Sequence, residues 1–321
     1  MSTDIAKAVE ILKEGYLVAF PTETVYGLGA DATNASAIRR IFEAKGRPPT
    51  NPLIVHVADI ATAKKFAGNW PDSAQLLAEK FWPGPLTLVL PKSPAIVDAV
   101  TAGKNTVGLR VPNHPLALEL LKQFNGPIAA PSANRSTRVS PTTAQHVREE
   151  LGKVVDLILD GGPCTVGIES TVLDLTITTP VILRPGAITR EQIQSCIGAT
   201  NLFTGHTDSS TPASSPGQQS LHYAPRAAAF RFETIETKKV WEWCNQNPQR
   251  NYKLLFFHPH PLFSQMPQNP ADYARILYSA LREIDAWGAE MVLIELPPDE
   301  PQWLAVRDRI TRATRPFSPH S

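Results

Sequence analysis

At 321 residues the chain exceeds the size at which one hydrophobic core is usual, so two domains are expected. Its 42% hydrophobic and 19% charged residues describe an ordinary globular protein, and a formal net charge of +1 argues against nucleic-acid binding by bulk electrostatics, so any anion site must be local. No run approaches the roughly 18 apolar residues of a membrane span, and Met1-Ser2-Thr3-Asp4 lacks the basic-then-apolar layout of a signal peptide, so a cytoplasmic location and no membrane partner are expected.

In chain order, Ile5, Ala8, Val9 and Leu12 recur at helical spacing, with Ser2 or Thr3 able to cap and Gly15 able to stop the helix. Leu17 to Phe20 reads as a buried strand that Pro21 ends. The run Thr22-Glu23-Thr24-Val25-Tyr26-Gly27-Leu28-Gly29 follows, hydroxyls and a carboxylate at a strand end and then two glycines spaced to let backbone approach a ligand. Asn34 caps a short helix with Ala37, Ile38, Ile41 and Phe42 on one face, and Gly46 stops it between Lys45 and Arg47. Taken alone, that pair reads first as solvent-facing cations at a helix C-terminus. With only a glycine between them, the two can also converge on one anion. Asn51-Pro52-Leu53 then opens a second strand that carries His56.

Asp59 and Pro71 open two helices, the second with Leu76, Leu77, Lys80 and Phe81, and Phe81-Trp82-Pro83-Gly84-Pro85 turns into the strand Leu86 to Leu90. Thr106 to Val111 places Arg110 near a strand end, and His114-Pro115 begins a helix with Leu116, Leu120, Leu121 and Phe124 on one face. A short strand from Pro127 to Ala130 enters Pro131-Ser132-Ala133-Asn134-Arg135-Ser136, a third strand-to-loop junction rich in polar groups. Ser140-Pro141-Thr142, Glu169-Ser170-Thr171 and Arg184-Pro185-Gly186 repeat the pattern. Strands and helices intermix without strict alternation, so the fold class is α/β with an open, twisted mixed sheet. Cys164, Cys196 and Cys244 show no metal-ligand spacing and read as packed, reduced thiols.

Ser, Thr, Gly and Pro dominate from Gly198 to about Gln219, which reads as a linker. The expected division is a first domain over 1–199, a linker over 200–225 and a smaller Rossmann-like, three-layer α/β domain over 226–321. In the last of these, strands Ala228 to Phe232, Leu254 to Phe257 and Met291 to Leu296 alternate with helices, one bearing Val240, Trp241 and Cys244 and one opened by Asn269-Pro270. No glycine fingerprint for a dinucleotide is present. His258-Pro259-His260 reads as an exposed loop without a carboxylate partner.

Pro21-Thr22-Glu23-Thr24-Val25-Tyr26-Gly27-Leu28, Lys45-Gly46-Arg47 and Asn51-Pro52-Leu53 together resemble the L-threonylcarbamoyladenylate synthases of the YrdC-like family, and the second domain resembles their long, two-domain form. The resemblance implies synthesis of L-threonylcarbamoyladenylate from L-threonine, bicarbonate or CO₂, and ATP with Mg²⁺, for threonylcarbamoyl adenosine in tRNA. The tRNA is an indirect partner, reached through a downstream transferase. It implies that Lys45, Arg47, Ser132 and Asn134 hold the nucleotide at the reacting centre, with further nucleotide contacts from Asn51, Thr106, Ala130, Ser140, Arg184 and Tyr223. Thr24, His56, Arg110 and Ser170 match threonine-binding positions, Arg110 as a fork for the carboxylate. No protein metal cage is expected, and Glu23 is at most a holder of a metal-bound water.

The linker's Ser215-Pro216-Gly217 and His222-Tyr223-Ala224-Pro225 resemble the family's interdomain motif, with Gln218-Gln219-Ser220 in place of more basic residues. The expectation is a lid over the pocket; a passive spacer is the alternative. Two other functions stand beside the synthase: a double-stranded-RNA-binding module, and a carbamoyl-transfer domain whose zinc-finger and acylphosphatase segments are missing here.

Overall fold

Local signals set the helix ends. Asn34 Oδ1 accepts from the backbone N–H groups of Ser36 and Ala37, and Gly46 adopts the left-handed conformation, φ 59° and ψ 38°, that lets the helix stop. His114 Nδ1 accepts from Leu116 N with Pro115 in the first helical turn. The computed structural model describes residues 2–203, 222–259 and 265–319. The side chains of Ser2 and Thr3, the segment 204–221 with most of the expected lid, and His260 lie outside the described residues.

The chain forms two compact units, one of Met1–Ser136 with Ser140–Gln219 and one of Thr137–Val139 with Ser220–Ser321. The first unit runs α1 (Ser2–Lys13), β1 (Val18–Phe20), β2 (Gly27–Asp31), α2 (Ala35–Lys45), β3 (Ile54–His56), α3 (Ile60–Phe66) and α4 (Asp72–Phe81). It continues through β4 (Leu86–Pro91), α5 (Asp98–Thr101), β5 (Thr106–Arg110), α6 (Pro115–Phe124), β6 (Ile128–Ala129) and α7 (Ala144–Leu151). β7 (Leu157–Ile158), β8 (Thr171–Asp174), β9 (Val181–Arg184), α8 (Arg190–Ile197) and β10 (Asn201–Leu202) complete it. Its mixed sheet has the order β10-β9-β8-β4-β5-β3-β6-β2-β1-β7, and β10 carries it past the boundary expected at 199.

One face of the sheet is buried along its length: Leu28, Val55, Leu88, Leu109 and Leu173 pack with Ile38 and Ile41 of α2, Leu77 of α4 and Ile193 of α8. Each such side chain contributes about 1.5–3 kcal/mol. On the other face, α1 and α6 cover only the β6 to β1 half, through Leu12, Leu120 and Leu121 against Val18, Phe20 and Ile128. The β3, β4, β8 and β9 half carries a small cluster of Ile54, Val89, Val172 and Leu183, to which no helix residue contributes among the described residues. That half-face, buried without a helix residue in its apolar cluster, is where the polar side chains collect.

Two sequence expectations change. Gly27 and Gly29 lie in β2, where a Cβ on Gly29 would sit 2.8 Å from Phe20 Cε1 and 2.9 Å from Ile128 Cγ2. These glycines admit neighbouring side chains rather than a ligand. In α4 the inner stripe is Ala74, Leu77 and Ala78, and Leu76 is 51% exposed, because one position before Leu77 turns it about 100° from that stripe.

The second unit holds β11 (Ala228–Phe232), α9 (Thr237–Gln246), β12 (Tyr252–Leu255), α10 (Pro270–Ala286), β13 (Met291–Glu295), α11 (Leu304–Ala313) and β14 (Arg315–Pro316). All pairings in its sheet, ordered β12-β13-β11-β14, are parallel, as the βαβ rhythm requires. α9 buries Val240, Trp243 and Cys244 against Phe232, Leu254 and Met291, so Trp243 rather than Trp241 is its aromatic anchor. The second strand's ladder ends at Leu255, with Phe256 forming an isolated bridge to Gln265.

Candidate functional site

Strand register assembles a buried polar row across this half-face. His56 of β3 pairs with Arg110 of β5. β5 pairs with β4 through Leu88 and Leu109, and continuing that antiparallel register places Thr87 opposite Arg110. Thr87 pairs with Val172 of β8, and Val172 with Arg184 of β9. Residues brought together from positions 56 to 184 therefore share one line. Ser170 joins it from the loop before β8: its Oγ lies 2.8 Å from Thr87 Oγ1 and accepts from Arg184 Nη2 at 3.1 Å, while its carbonyl accepts from Arg184 Nε at 3.1 Å.

At one end of the row, Arg110 Nη2 lies 2.8 Å from Glu23 Oε1, and both side chains are buried. Arg110 Nε donates to Gly84 O at 3.2 Å, and Glu23 Oε2 accepts from Asn113 N at 3.0 Å. Glu23 is thus the counterion of Arg110. His56 is 4% exposed and stands edge-on to Phe20, ring centroids 5.9 Å apart. Burial, then the Arg110 charge, lowers its pKa to about 3, so the ring is neutral. His56 Nδ1 is buried without a hydrogen-bond partner among the described residues, whereas Arg110 Nη2 and Glu23 Oε1 are ion-paired to each other. A buried ring nitrogen left open in this way is a place where a ligand can supply the missing group.

Thr24 sits beside them in a buried hydroxyl turn. Thr22 Oγ1 donates to Val25 O at 2.6 Å, accepts from Val25 N and Thr24 N, and lies 2.9 Å from Thr24 Oγ1. The turn is fixed from outside by Tyr26 N donating to Pro141 O and Val166 N to Glu23 O.

A second group gathers at the C-terminus of α2. Lys45 is 2% exposed, and its Nζ donates to Ser132 O at 2.5 Å and to Asn134 O, while Ser136 N donates to Lys45 O at 2.9 Å. Lys45 therefore shapes the serine-x-asparagine loop with two of its three N–H donors and is not the solvent-facing cation that α2's end alone suggested. Burial, reinforced by Arg47, lowers its pKa. Arg47 is also buried, with Nη2 donating to Pro52 O at 3.2 Å. Asn51 is buried beside it, and Ala130 N is fixed to Ile54 O at 2.9 Å.

The same face carries a small pocket of about 20 Å³ lined by Ile54, Thr87, Val89, Lys104, Thr106 and Gly108. Thr106 is the expected nucleotide-contact residue found there. Ser140 is buried, with Oγ 2.5 Å from Glu169 Oε1. Tyr223 belongs to the second unit, where it stacks on Tyr278 at 5.7 Å and 27° with the Arg309 guanidinium 5.1 Å from its ring. Sequence reasoning missed Thr87, Glu169 and the pairing of Glu23. The one local sign was a threonine interrupting the apolar strand Leu86–Leu90.

Cys164 is pushed up to about 12 by burial and is a thiol rather than a nucleophilic thiolate. In the second unit, His258 Nδ1 lies 2.7 Å from buried Glu295, a partner concealed by a separation of 37 positions in sequence, which corrects the reading of a loop without a carboxylate. Among the described residues no group of three or more His, Cys, Asp or Glu side chains can hold a metal ion, and no helix is long and apolar enough to cross a membrane.

Buried cations and hydroxyl turns gathered on one face of an α/β sheet are an arrangement that can hold a small anionic substrate. The chain belongs to the Sua5/YciO/YrdC family: the model described as telomere recombination matches residues 10–186, and one described as the threonylcarbamoyl-AMP synthase C-terminal domain matches residues 188–314. It is 42% identical to the threonylcarbamoyl-AMP synthase of Bacillus subtilis, covering 96% of this chain and 92% of the relative. With that of Pyrococcus abyssi it shares 41% identity over 96% of this chain and 93% of the relative. The crystal structure of P. abyssi Sua5 complexed with L-threonine superposes with a TM-score of 0.89 at 39% identity, covering 97% of this chain and 95% of that one.

Proposed function

We propose that this protein synthesises L-threonylcarbamoyladenylate from L-threonine, bicarbonate or CO₂, and ATP, releasing pyrophosphate, in the cytoplasm and for the threonylcarbamoyl adenosine modification of tRNA. The register pair of His56, with its buried and open ring nitrogen, and Arg110, with its buried charge, carries the reading. Arg110 offers a charged donor to the amino-acid carboxylate, worth about 1.5–3 kcal/mol per charged hydrogen bond. The neutral His56, with Thr24 and Ser170, supplies polar partners for threonine's hydroxyl and amine. A site that pairs that hydroxyl rejects analogues lacking it far more strongly than a site that merely fills space. The L-threonine bound by the P. abyssi relative supports the same substrate here.

The threonine nitrogen bonds to the carbon of CO₂ and loses a proton, giving a carbamate. One carbamate oxygen then attacks the α-phosphorus of ATP, and the bond to pyrophosphate breaks with its electron pair leaving on that group. No covalent intermediate with the protein is formed. Lys45 and Arg47 sit where a polyanion would be held, Lys45 through its third N–H; Arg184 and the hydroxyls of Ser132 and Ser140 add charge and donors, and Asn51, Thr106, Ala130 and Asn134 line the nucleotide. Tyr223 is carried as a further ATP contact.

Mg²⁺ would travel on the ATP phosphates as part of the substrate. The tRNA is reached only through the transferase that consumes the product. Pyrophosphate release that requires both L-threonine and bicarbonate tests the proposal, and release that ignores either one would sink it.

A further inference from the structure

Three residues leave the first unit for the second in the middle of the nucleotide loop. Ser132, Asn134 and Ser136 precede them and Ser140 follows, all in the first unit; Thr137, Arg138 and Val139 belong to the second. On the first unit's side, Lys45 holds Ser132 O and Asn134 O, Arg135 N donates to Glu150 Oε1 at 2.8 Å, and Ser140 Oγ donates to Glu169. Within the second unit, Ala224 N donates to Thr137 O at 2.9 Å, Arg138 Nη1 donates to Pro225 O at 3.2 Å, and Arg282 Nη2 donates to Val139 O. Arg138 and Ala224 form a parallel β-bridge.

Thr137 has φ 69°, and Tyr223, next to Ala224, has φ 64°. Neither is glycine, and a β-branched or bulky residue keeps such a backbone only where its surroundings over-determine it. Those surroundings are visible for Tyr223: Tyr278 of α10 stacks on it, the Arg309 guanidinium of α11 covers it, and His222 N donates to Arg312 O at 3.0 Å. Asp308 in turn anchors Arg309 at 2.6 Å and Arg312 at 2.9 Å. Two strained residues thus meet across one bridge, held from α10 and α11.

We propose that the second unit clasps the nucleotide loop at residues 137–139 and so sets the positions of Asn134 and Ser140, with Arg282 as a positioning residue and not a catalytic one. This rests on the assignment of that loop to ATP. The threonine-side residues, Thr24, His56, Arg110 and Ser170, lie on other segments and meet the loop through secondary links such as Tyr26 N to Pro141 O and Ser140 Oγ to Glu169, so the clasp acts chiefly on ATP.

The test compares Arg282→Ala, Arg282→Lys and Arg138→Ala in the full chain. It reads amide hydrogen exchange over 132–140, ATP affinity by calorimetry, and the separate Michaelis constants for ATP and L-threonine. Losing one charged donor should raise the ATP constant about tenfold. The threonine constant should stay within about twofold, exchange over 132–140 should quicken, and Arg282→Lys should recover part of both effects. Unchanged exchange and ATP affinity in Arg282→Ala and Arg138→Ala would overturn the clasp. So would an equal rise in both constants with exchange quickened throughout the second unit, which marks a merely structural role. Absence of threonine- and bicarbonate-dependent pyrophosphate release in the unsubstituted protein would instead overturn the functional reading, leaving the exchange result to judge the clasp.

Discussion

Lowering the pH probes His56 directly. Its folded pKa is depressed to about 3 by burial and Arg110, whereas in the unfolded chain the imidazole titrates near its ordinary 6.5. Between those values the unfolded state binds a proton that the folded state refuses, so stability is intact above about pH 6.5 and falls as the pH drops toward 3. The slope from this one group approaches about 1.4 kcal/mol per pH unit, and by pH 5 the accumulated loss is about 2 kcal/mol. Other groups titrate in the same window, among them His114, whose pKa burial also lowers. The measurement is therefore a difference: urea unfolding of the unsubstituted protein and of His56→Asn at pH 7 and pH 5. His56→Asn loses packing against Phe20 at both pH values but is spared the acid penalty, so the stability gap between the two proteins should narrow by about 2 kcal/mol at pH 5. A gap that does not change with pH would show that His56 titrates normally, and the dry, neutral histidine assigned to the threonine site would be wrong.

Arg110→Ala leaves the Glu23 carboxylate buried without its counterion and should destabilise the first unit by about 3–5 kcal/mol in urea unfolding. Arg110→Lys keeps the charge and loses the fork and the bond to Gly84 O, so it should fold and raise the Michaelis constant for threonine about tenfold or more, with that for ATP little moved. Lys45→Met releases the carbonyls of Ser132 and Asn134; ATP affinity measured by calorimetry should fall by more than an order of magnitude while threonine affinity holds. In Gly29→Ala the added methyl meets Phe20 and Ile128, and thermal or urea unfolding should report an overpacking cost of about 1–3 kcal/mol, whereas an unchanged midpoint would mean that β2 and Phe20 yield freely. Thr87→Val, nearly isosteric, removes the hydroxyl from Ser170 and should weaken threonine binding by about 1 kcal/mol in titration calorimetry.

Much of this protein is legible without coordinates because it is local. The stop at Gly46, the caps at Asn34 and His114, and the α10 start at Asn269-Pro270 depend on groups a few positions apart, so short spacings suffice to read them. The parallel rhythm of the second unit follows from strand and helix alternation. The residues of the candidate site were found through motif resemblance, and the structure gathers His56, Arg110, Ser170 and Arg184 along one row. That row itself was not readable. It exists because β3, β5, β4, β8 and β9 become neighbours in that order, and strand order and register are settled by which faces the whole chain can bury, not by any one strand's period. For the same reason Gly27 and Gly29 looked like ligand glycines until the Phe20 ring was seen against them, the partner of Glu23 came into view only with Arg110 beside it, and Thr87 was passed over inside an apolar strand. The chain by itself determined its helices, its two-part division and the chemical identity of its polar groups; tertiary packing alone decided which of those groups face one another, since partners of a buried charge or hydroxyl come from segments far apart in sequence.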